Sequence, residues 1–277
     1  MKYLKMRGVL TAAMIAFALP AAAEEARDKA DSDWEFMVGL GAMYGPNFEG
    51  SDTSTVSALP MFNITWRDRV FFGMRDGLGA HVYKSDKMRI STSIGFDLGR
   101  DEDDSKFLSG LGDVDASATL NAGIEYELGP ITPFAKVRQH LGGTNGLQAE
   151  FGIEAGLPVA VLLGKREFQN KDATAAHVRN GTMLTAEIST DWASENYMQD
   201  YFGVNARQSA ASGLGQFNAG AGFKSVNASV GMMVPLGKQL MLNGSLGYSQ
   251  LIGDAADSPI TRDEGQFTAG LFLAYRF

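Results

Sequence analysis

The sequence contains no cysteine, and only three of its 277 residues are histidines. Without thiols the chain forms no disulfides and offers neither a thiolate ligand for a metal nor a cysteine nucleophile. It also contains no run of eighteen uninterrupted apolar residues. Because a membrane-spanning helix needs roughly 20 such residues, a helical membrane protein is excluded.

Basic residues are fewer than acidic ones, 24 against 32, which leaves a net charge of -8. This acidity argues against a nucleic-acid partner. Proline is also scarce, with eight residues against 33 glycines, and the mean hydropathy is -0.09. These values fit a chain of many alternating strands, in which the apolar and polar faces average out.

The N-terminal segment has the order of charges and apolar residues that is typical of an export signal. Three basic residues lie within the first seven positions, and the apolar run 8–19 and three alanines ending at Ala23 follow. Twelve apolar residues are too few to cross ~30 Å of hydrocarbon as a helix. We predict a signal peptide over 1–23 and a flexible periplasmic tail over 24–33.

The C-terminal segment, Gly265 to Phe277, alternates in the way expected of a strand between lipid and a polar lumen. Successive side chains of a strand point to opposite faces, so one face of this segment is apolar throughout. The other face is small or polar apart from Phe272. An aromatic ending of this kind, here Tyr275 and Phe277, is typical of the strand that the outer-membrane assembly machinery recognises. We predict that these two residues form the assembly signal.

The same alternation recurs along residues 34–277 and predicts a closed antiparallel transmembrane β-barrel in the bacterial outer membrane. The stretch 69–84 can form one strand or two, and we divide it because this places short turns inside and long loops outside. An even number of strands then results, as closure of a bacterial barrel requires. Residues 160–180 do not alternate and form a long inner connection. The twelve predicted strands are 34–44, 56–66, 69–75, 78–84, 87–98, 116–128, 131–141, 147–159, 182–192, 226–236, 240–248 and 265–277.

Several segments along the mature chain resemble the MipA/OmpV family of outer-membrane proteins. They are GLGAMYGPNFEG at 39–50, TWRDRVFF at 65–72, GLGAHVY at 77–83, LGDVDASATLNAGIEYE at 111–127, DWASENYMQDYFGV at 191–204, and the last 31 residues from Gly247 onward. The resemblance implies an outer-membrane barrel whose function is scaffolding, in which a lytic murein transglycosylase is held close to a murein synthase. Other family members resemble porins or adhesins. The resemblance transfers no catalytic residue.

Catalysis by a barrel enzyme would need a histidine beside a nucleophile or an activated water. His81 and His140 are predicted to face the lumen, where hydrogen bonds to neighbouring carboxylates would satisfy them, and His177 lies in the irregular connection. The acidic run 101–104 lacks the glycine and glutamate spacing of a calcium loop. We therefore expect no catalytic residue, no metal and no cofactor.

Charged residues of the predicted lumen form the most informative polar set. Basic side chains on one strand lie between acidic side chains on its two neighbours, so cross-strand pairs could satisfy them. They would either fill and stiffen the barrel or form a constriction that attracts anions. The predicted set consists of Glu125, Glu127, Lys136, Arg138, His140, Glu150 and Glu154.

The inner connection 160–180 carries an excess of basic charge in an otherwise acidic chain. It could dock an acidic surface of a murein enzyme, or it could be an ordinary solvated loop. The predicted docking residues are Lys165, Arg166, Phe168, Lys171, His177 and Arg179. The sequence thus predicts a scaffold for murein enzymes in the outer-membrane bilayer, with a narrow channel for small solutes as the alternative.

Overall fold

The structure is a computed structural model that describes residues 33–163 and 181–277. Within these residues, twelve antiparallel strands close into one barrel, in which each strand pairs with its neighbours in sequence and the last pairs with the first. The strands are β1 (Trp34–Pro46), β2 (Ser54–Trp66), β3 (Val70–Gly73), β4 (Gly77–Lys84), β5 (Met88–Asp97), β6 (Ser117–Tyr126), β7 (Ile131–His140), β8 (Leu147–Pro158), β9 (Met183–Ala193), β10 (Gly222–Pro235), β11 (Leu240–Leu251) and β12 (Gly265–Arg276).

The predicted barrel is confirmed, including the division of 69–84 into two short strands that reverse at residues 74–76. The largest shift of a strand end is in β10, which begins at Gly222 and not at Val226. Its pairing with β9 shifts between Phe223 and Ser225. A bulge of this kind interrupts the alternation of side chains, so the sequence pattern does not reveal the first four residues of the strand.

The outer surface of the barrel is apolar. Leu40, Ile94 and Ile188 are 65%, 58% and 66% exposed, whereas residues of these types are normally buried in soluble proteins. Aromatic side chains border this surface at both ends, because Trp34 and Trp66 lie 6.2 Å apart at one end and Tyr44 and Phe267 lie 6.3 Å apart at the other. An apolar belt between two aromatic girdles is the surface of a transmembrane barrel.

The two ends of the barrel differ in the length of their connections. Described turns of a few residues join β2 to β3, β4 to β5, β6 to β7 and β10 to β11 at the end that carries Trp34, which is therefore the periplasmic, inner end. The longest described connections, 98–116, 194–221 and 252–264, lie at the other, outer end. Short helices occur at both ends: α1 (Val159–Leu162) at the inner end, and α2 (Glu195–Phe202), α3 (Ala206–Ser212) and α4 (Asp254–Asp257) at the outer end. None of the described helices is long and apolar enough to cross a membrane.

The seam between β1 and β12 closes the barrel, and Phe277 lies at its inner end. The Phe277 backbone N–H donates to the carbonyl of Phe36 at 2.9 Å, and its ring meets the Tyr275 ring edge-on at 4.8 Å. We expect Phe277→Ala to lower the amount of heat-modifiable barrel in the outer membrane several-fold, because it removes the last aromatic contact of the seam. Phe267→Ala on the outer half of β12 is the control. Equal losses in the two variants would show that aromatic area alone, and not the C-terminal position, supports assembly.

Candidate functional site

Four loops meet over the outer end of the lumen, and together they form what we name the cap: residues 47–53, 98–116, 194–221 and 252–264. One residue or more from each loop enters a shared apolar cluster, and Leu108 and Ile260 in it are completely buried. Loops from opposite sides of the barrel therefore pack against one another above the lumen. The cluster consists of Phe48, Leu108, Leu111, Val204 and Ile260.

A second apolar cluster joins the cap to the rim of the barrel. Helix α2 contributes Tyr197, Met198 and Phe202, which are 6%, 1% and 0% exposed. They pack on Ala193 and Leu251, which end strands β9 and β11. Burial of this many apolar side chains, at about 1.5–3 kcal/mol for each large one, fixes α2 across the outer end.

Buried charged groups also hold the cap on the barrel. Lys224 of β10 is 5% exposed and forms an ion pair with Glu49 of the first loop. The Tyr197 hydroxyl donates to the same carboxylate at 3.2 Å, and the Lys224 ammonium lies 5.6 Å from the centre of the Tyr197 ring. Burial, with Glu49 nearby, raises the pKa of Tyr197 well above its usual value, so this phenol remains a donor.

Arg100 links two loops of the cap. Its guanidinium is buried and donates to the backbone carbonyls of Tyr201 at 2.7 Å and Asp200 at 3.4 Å, while it lies 5.8 Å from the centre of the Tyr201 ring. Burial lowers the pKa of Arg100 and raises the pKa values of Asp200 and Tyr201. The Tyr201 hydroxyl in turn donates to Asp97 at 3.4 Å, at the end of β5. The contacts tie loop 98–116 to helix α2.

Below the cap, the lumen contains a polar cavity of about 470 Å³. Its size is in the range of small-molecule sites, roughly 300–1,000 Å³. Its lining includes cationic, anionic and neutral polar side chains. Six of its lining residues are Asn63, His81, Arg89, Lys136, Arg138 and Glu150.

The structure brings together some of the lumen charges singled out from the sequence. Lys136 lies directly opposite Glu150 on β8, with 3.5 Å between ammonium and carboxylate, and its ammonium also lies 4.1 Å from the centre of the Phe134 ring. Arg138 donates from Nε to the Asn121 side-chain oxygen at 3.2 Å. Both cations therefore face the cavity, where Arg138 contacts an amide and, among the described residues, no carboxylate.

Glu125 and Glu127 do not pair with β7, on which the sequence interpretation had placed their partners. Both contact Arg89 on β5, at 3.0 Å and 3.8 Å. The strand register explains this choice, since Arg89 lies directly opposite Glu125 whereas β7 presents Phe134 at that position. Arg89 was missing from the predicted set, although the alternation of β5 already places it on the lumen face.

His140 and Glu154 lie apart from the other predicted lumen charges. His140 is 2% exposed, and its ring nitrogens lie 3.3 Å from the Ser117 hydroxyl and 3.1 Å from the Gln148 side-chain oxygen, so it contacts neutral groups and no carboxylate among the described residues. Glu154 is exposed and lies opposite Thr132 and Glu187. The seven predicted residues therefore form separate contacts and not one network.

The remaining predicted sites are the docking residues and the assembly signal. Lys165, Arg166, Phe168, Lys171, His177 and Arg179 fall outside the described residues. The chain leaves β8 and returns to β9 at the inner end. Tyr275 donates from its hydroxyl to the Gln239 side chain at 2.7 Å. In residues 33–163 and 181–277, no group of three or more histidine and acidic side chains could hold a metal ion.

Comparison with known proteins gives the following similarities. The family model described as MltA-interacting protein MipA matches residues 38–277. A relative in Escherichia coli K12, named "Putative outer membrane protein YiaT", is 22% identical over 248 residues, which cover 88% of this chain and 91% of the relative.

Two solved structures resemble the fold with low sequence identity. An outer membrane channel from Pseudomonas putida F1 is 11% identical with a TM-score of 0.42, covering 90% of this chain and 97% of the channel. The outer membrane channel DcaP of Acinetobacter baumannii is 10% identical with a TM-score of 0.36, covering 88% of this chain and 96% of DcaP. Since the family model covers most of the sequence and the barrel has a transmembrane surface, this chain is an outer-membrane β-barrel protein that belongs to the MltA-interacting protein MipA family.

Proposed function

We propose that this protein is an outer-membrane scaffold that organises murein-remodelling enzymes at its periplasmic face. The observation that carries the proposal is the cap, which packs two apolar clusters across the outer end of the lumen. The family description, MltA-interacting protein, supports a murein transglycosylase as one partner. A murein synthase is the second partner that we propose.

The cap supports the scaffold over a channel for the following reason. A diffusion channel needs an aqueous path through both ends of the barrel. Here Leu108, Val204 and Ile260, from three loops, are at most 1% exposed at the place where that path would leave the outer end. The inner end is the surface that a periplasmic enzyme can reach, so a role at that end fits the architecture better than transport across the barrel.

The described inner turns offer both signs of charge to a partner. Asp33 and Arg67 form a 2.8 Å ion pair, Lys84 pairs with Asp68, and both pairs are solvent-accessible. Exposed pairs of this kind add little stability, about 0–1 kcal/mol. Their side chains can therefore exchange partners at low cost when an enzyme binds.

The basic segment between β8 and β9 supplies the test of this proposal. We expect Lys165→Glu with Arg166→Glu to leave the amount of folded barrel unchanged and to weaken capture of a purified murein transglycosylase, more strongly at low salt because screening is weaker there. The measurement is capture of the purified transglycosylase by the detergent-solubilised, affinity-tagged barrel at two ionic strengths.

A matched double reversal at the outer end serves as the control for this experiment. Lys106 and Arg207 are exposed in the cap, and Lys106→Glu with Arg207→Glu changes the net charge by the same amount. Equal capture by the wild-type protein and by the variant with Lys165→Glu and Arg166→Glu would reject docking through this segment.

Single-channel recording separates the scaffold from the channel. The wild-type barrel in planar bilayers should show no stable conductance, because the cap covers its outer end. Stable conductance together with failed enzyme capture would overturn the scaffold and support a porin-like protein. We propose no catalytic role for any residue of the barrel.

A further inference from the structure

The outer half of β2 has a strand neighbour on one side only. β2 pairs along its whole length with β1, but β3 pairs only with Asn63–Trp66, and the Met74 backbone N–H reaches Phe62 at 3.4 Å. In the described part of the chain, no strand pairs with the other side of residues 54–61. The short hairpin of β3 and β4 therefore leaves part of the wall without strands.

The backbone groups of β2 that face this gap can be identified from the ladder. Alternate residues of an antiparallel strand turn their N–H and C=O groups toward opposite neighbours. The Phe62 carbonyl accepts its hydrogen bond from the side of β3. The backbone N–H and C=O groups of Ala58 and Val56, and the C=O of Pro60, therefore turn toward that side as well. Proline has no N–H to leave unpaired, and it is tolerated within a sheet only at such an edge.

The opposite border of the gap is the outer end of β5. Its residues 95–97 pair with β6, whereas its pairing with β4 ends at Ile94. With two strands missing between β2 and β5, the backbones are separated by three strand spacings, roughly 14 Å. We name this region the notch: residues 54–61 of β2, the hairpin tip 74–76 and residues 95–97 of β5.

The notch lies at the level of the outer leaflet. Val56 is opposite Tyr44, which belongs to the outer aromatic girdle. From Val56 down to Phe62, a strand tilted by about 40° descends roughly 15 Å, or about half of the hydrocarbon thickness. Phe96, on the far border, is 68% exposed on the lipid side.

An open strand edge at this depth must have polar groups beside it, because lipid cannot bond to backbone N–H and C=O groups. A partner strand is disfavoured, since Pro60 interrupts the donors that strand addition uses. The lumen is the remaining source of polar groups for this edge. Arg75 and Asp76 form the hairpin tip at the base of the notch, and both also line the 470 Å³ cavity. The cavity therefore reaches the base of the notch.

We propose that the notch is a lateral opening through which an amphiphile with a zwitterionic headgroup enters the lumen from the outer leaflet. The headgroup would lie in the cavity, where charges of both signs are interleaved as the Arg89–Glu125 and Lys136–Glu150 pairs. In the described residues, His81 Nδ1 and Arg89 Nε are buried without a hydrogen-bond partner. A phosphate-and-amine headgroup matches these interleaved charges of both signs while its acyl chain remains in the lipid. This proposal does not depend on the scaffolding role.

Fluorescence quenching tests whether the notch opens to both lipid and water. A bimane label is attached at Ser57→Cys, on the lumen face of the notch, in a chain that has no other cysteine. We expect quenching both by aqueous iodide and by lysophosphatidylethanolamine brominated in its acyl chain. The control is Ser229→Cys, also on the lumen face, where strands pair on both sides, and it should respond to iodide alone. A Ser57→Cys label that brominated lipid does not quench would overturn the proposal.

Closing the notch tests whether the amphiphile enters the lumen through it. Ala58 and Phe96 are three strand spacings apart and four residues out of register, so a bis-maleimide that spans roughly 19 Å is attached to Ala58→Cys with Phe96→Cys. The control pair, Ala155→Cys with Leu242→Cys, has the same three spacings and the same offset of four residues on a fully paired part of the wall. Binding of lysophosphatidylethanolamine, measured by native mass spectrometry, should fall at least tenfold with the first bridge only. Equal binding with both bridges would refute lateral entry.

Two further outcomes of these experiments bear on the occupant. Lysophosphatidylglycerol, which has a net negative headgroup, should bind at least tenfold more weakly than lysophosphatidylethanolamine. Equal binding of the two lipids would reject the zwitterionic assignment. Covalent dimers formed through Ala58→Cys would place a second copy of the chain in the notch and would also overturn the proposal.

Discussion

An arginine at Ile94 should destabilise the barrel by about 2–4 kcal/mol, the cost of a charged side chain on the lipid face near the middle of the bilayer. Ile94 is 58% exposed, and its neighbours across the strands are Leu78 and Leu120. Reversible unfolding by guanidinium chloride in lipid vesicles measures the loss as a change in the free energy of unfolding.

The matched control for this prediction is Ser91→Arg on the same strand. Ser91 faces the cavity and lies opposite Gly123, which leaves room for a longer side chain. The new guanidinium remains hydrated there, so the loss should be well below that at Ile94. Equal losses would mean that the assignment of lipid and lumen faces is wrong.

The barrel was predictable because its strands obey a period of two with few interruptions. Residues of β5 and β12 alternate so regularly that facing follows from the sequence. Where the pattern was ambiguous, at 69–84, the rule of short inner turns and long outer loops gave the correct division. The predicted bounds already give the two hairpin strands seven residues each against eleven in β2, and only the register shows which residues of β2 the hairpin leaves unpaired.

The cap was not predicted, for two physical reasons. Tyr197, Met198, Tyr201 and Phe202 have a helical spacing, but a helix of eight residues gives a weak periodic signal beside a long loop. In addition, the contacts of Phe48 with Leu108 and Ile260 join residues that are far apart in sequence. Such contacts depend on the closed barrel that brings the loops together, and no local pattern encodes them.

The ion pairs between lumen charges were also predictable only in part. Alternation correctly places Lys136 and Glu150 on facing positions of adjacent strands. It cannot decide whether Glu125 pairs with β5 or with β7, because both strands flank it. The strand register places Arg89 of β5 directly opposite Glu125, and the two side chains form an ion pair.

Replacing Lys224 with methionine should loosen the cap and convert a silent barrel into a conducting one. Lys224 is the cation that neutralises Glu49 at the junction of the cap and the barrel wall. Without it, the largely buried carboxylate is left unpaired beside the Tyr197 hydroxyl. Removing one partner of a buried ion pair costs about 3 kcal/mol or more, which shifts the closed cap toward open conformations by roughly a hundredfold, given 1.4 kcal/mol per tenfold change.

Planar-bilayer recording measures the effect of Lys224→Met, and heat-modifiability shows that the barrel itself remains folded. Adding Glu49→Gln to Lys224→Met removes the unpaired charge, so the double variant should be nearly as silent as the wild-type protein. Because the amide introduced by Glu49→Gln retains an acceptor for the Tyr197 hydroxyl, this comparison separates charge from hydrogen bonding. A silent Lys224→Met variant would show that the apolar clusters alone hold the cap closed. Equal conductance in the single and double variants would show that the cap opens because the packing of the lysine side chain is lost, and not because the carboxylate is unpaired.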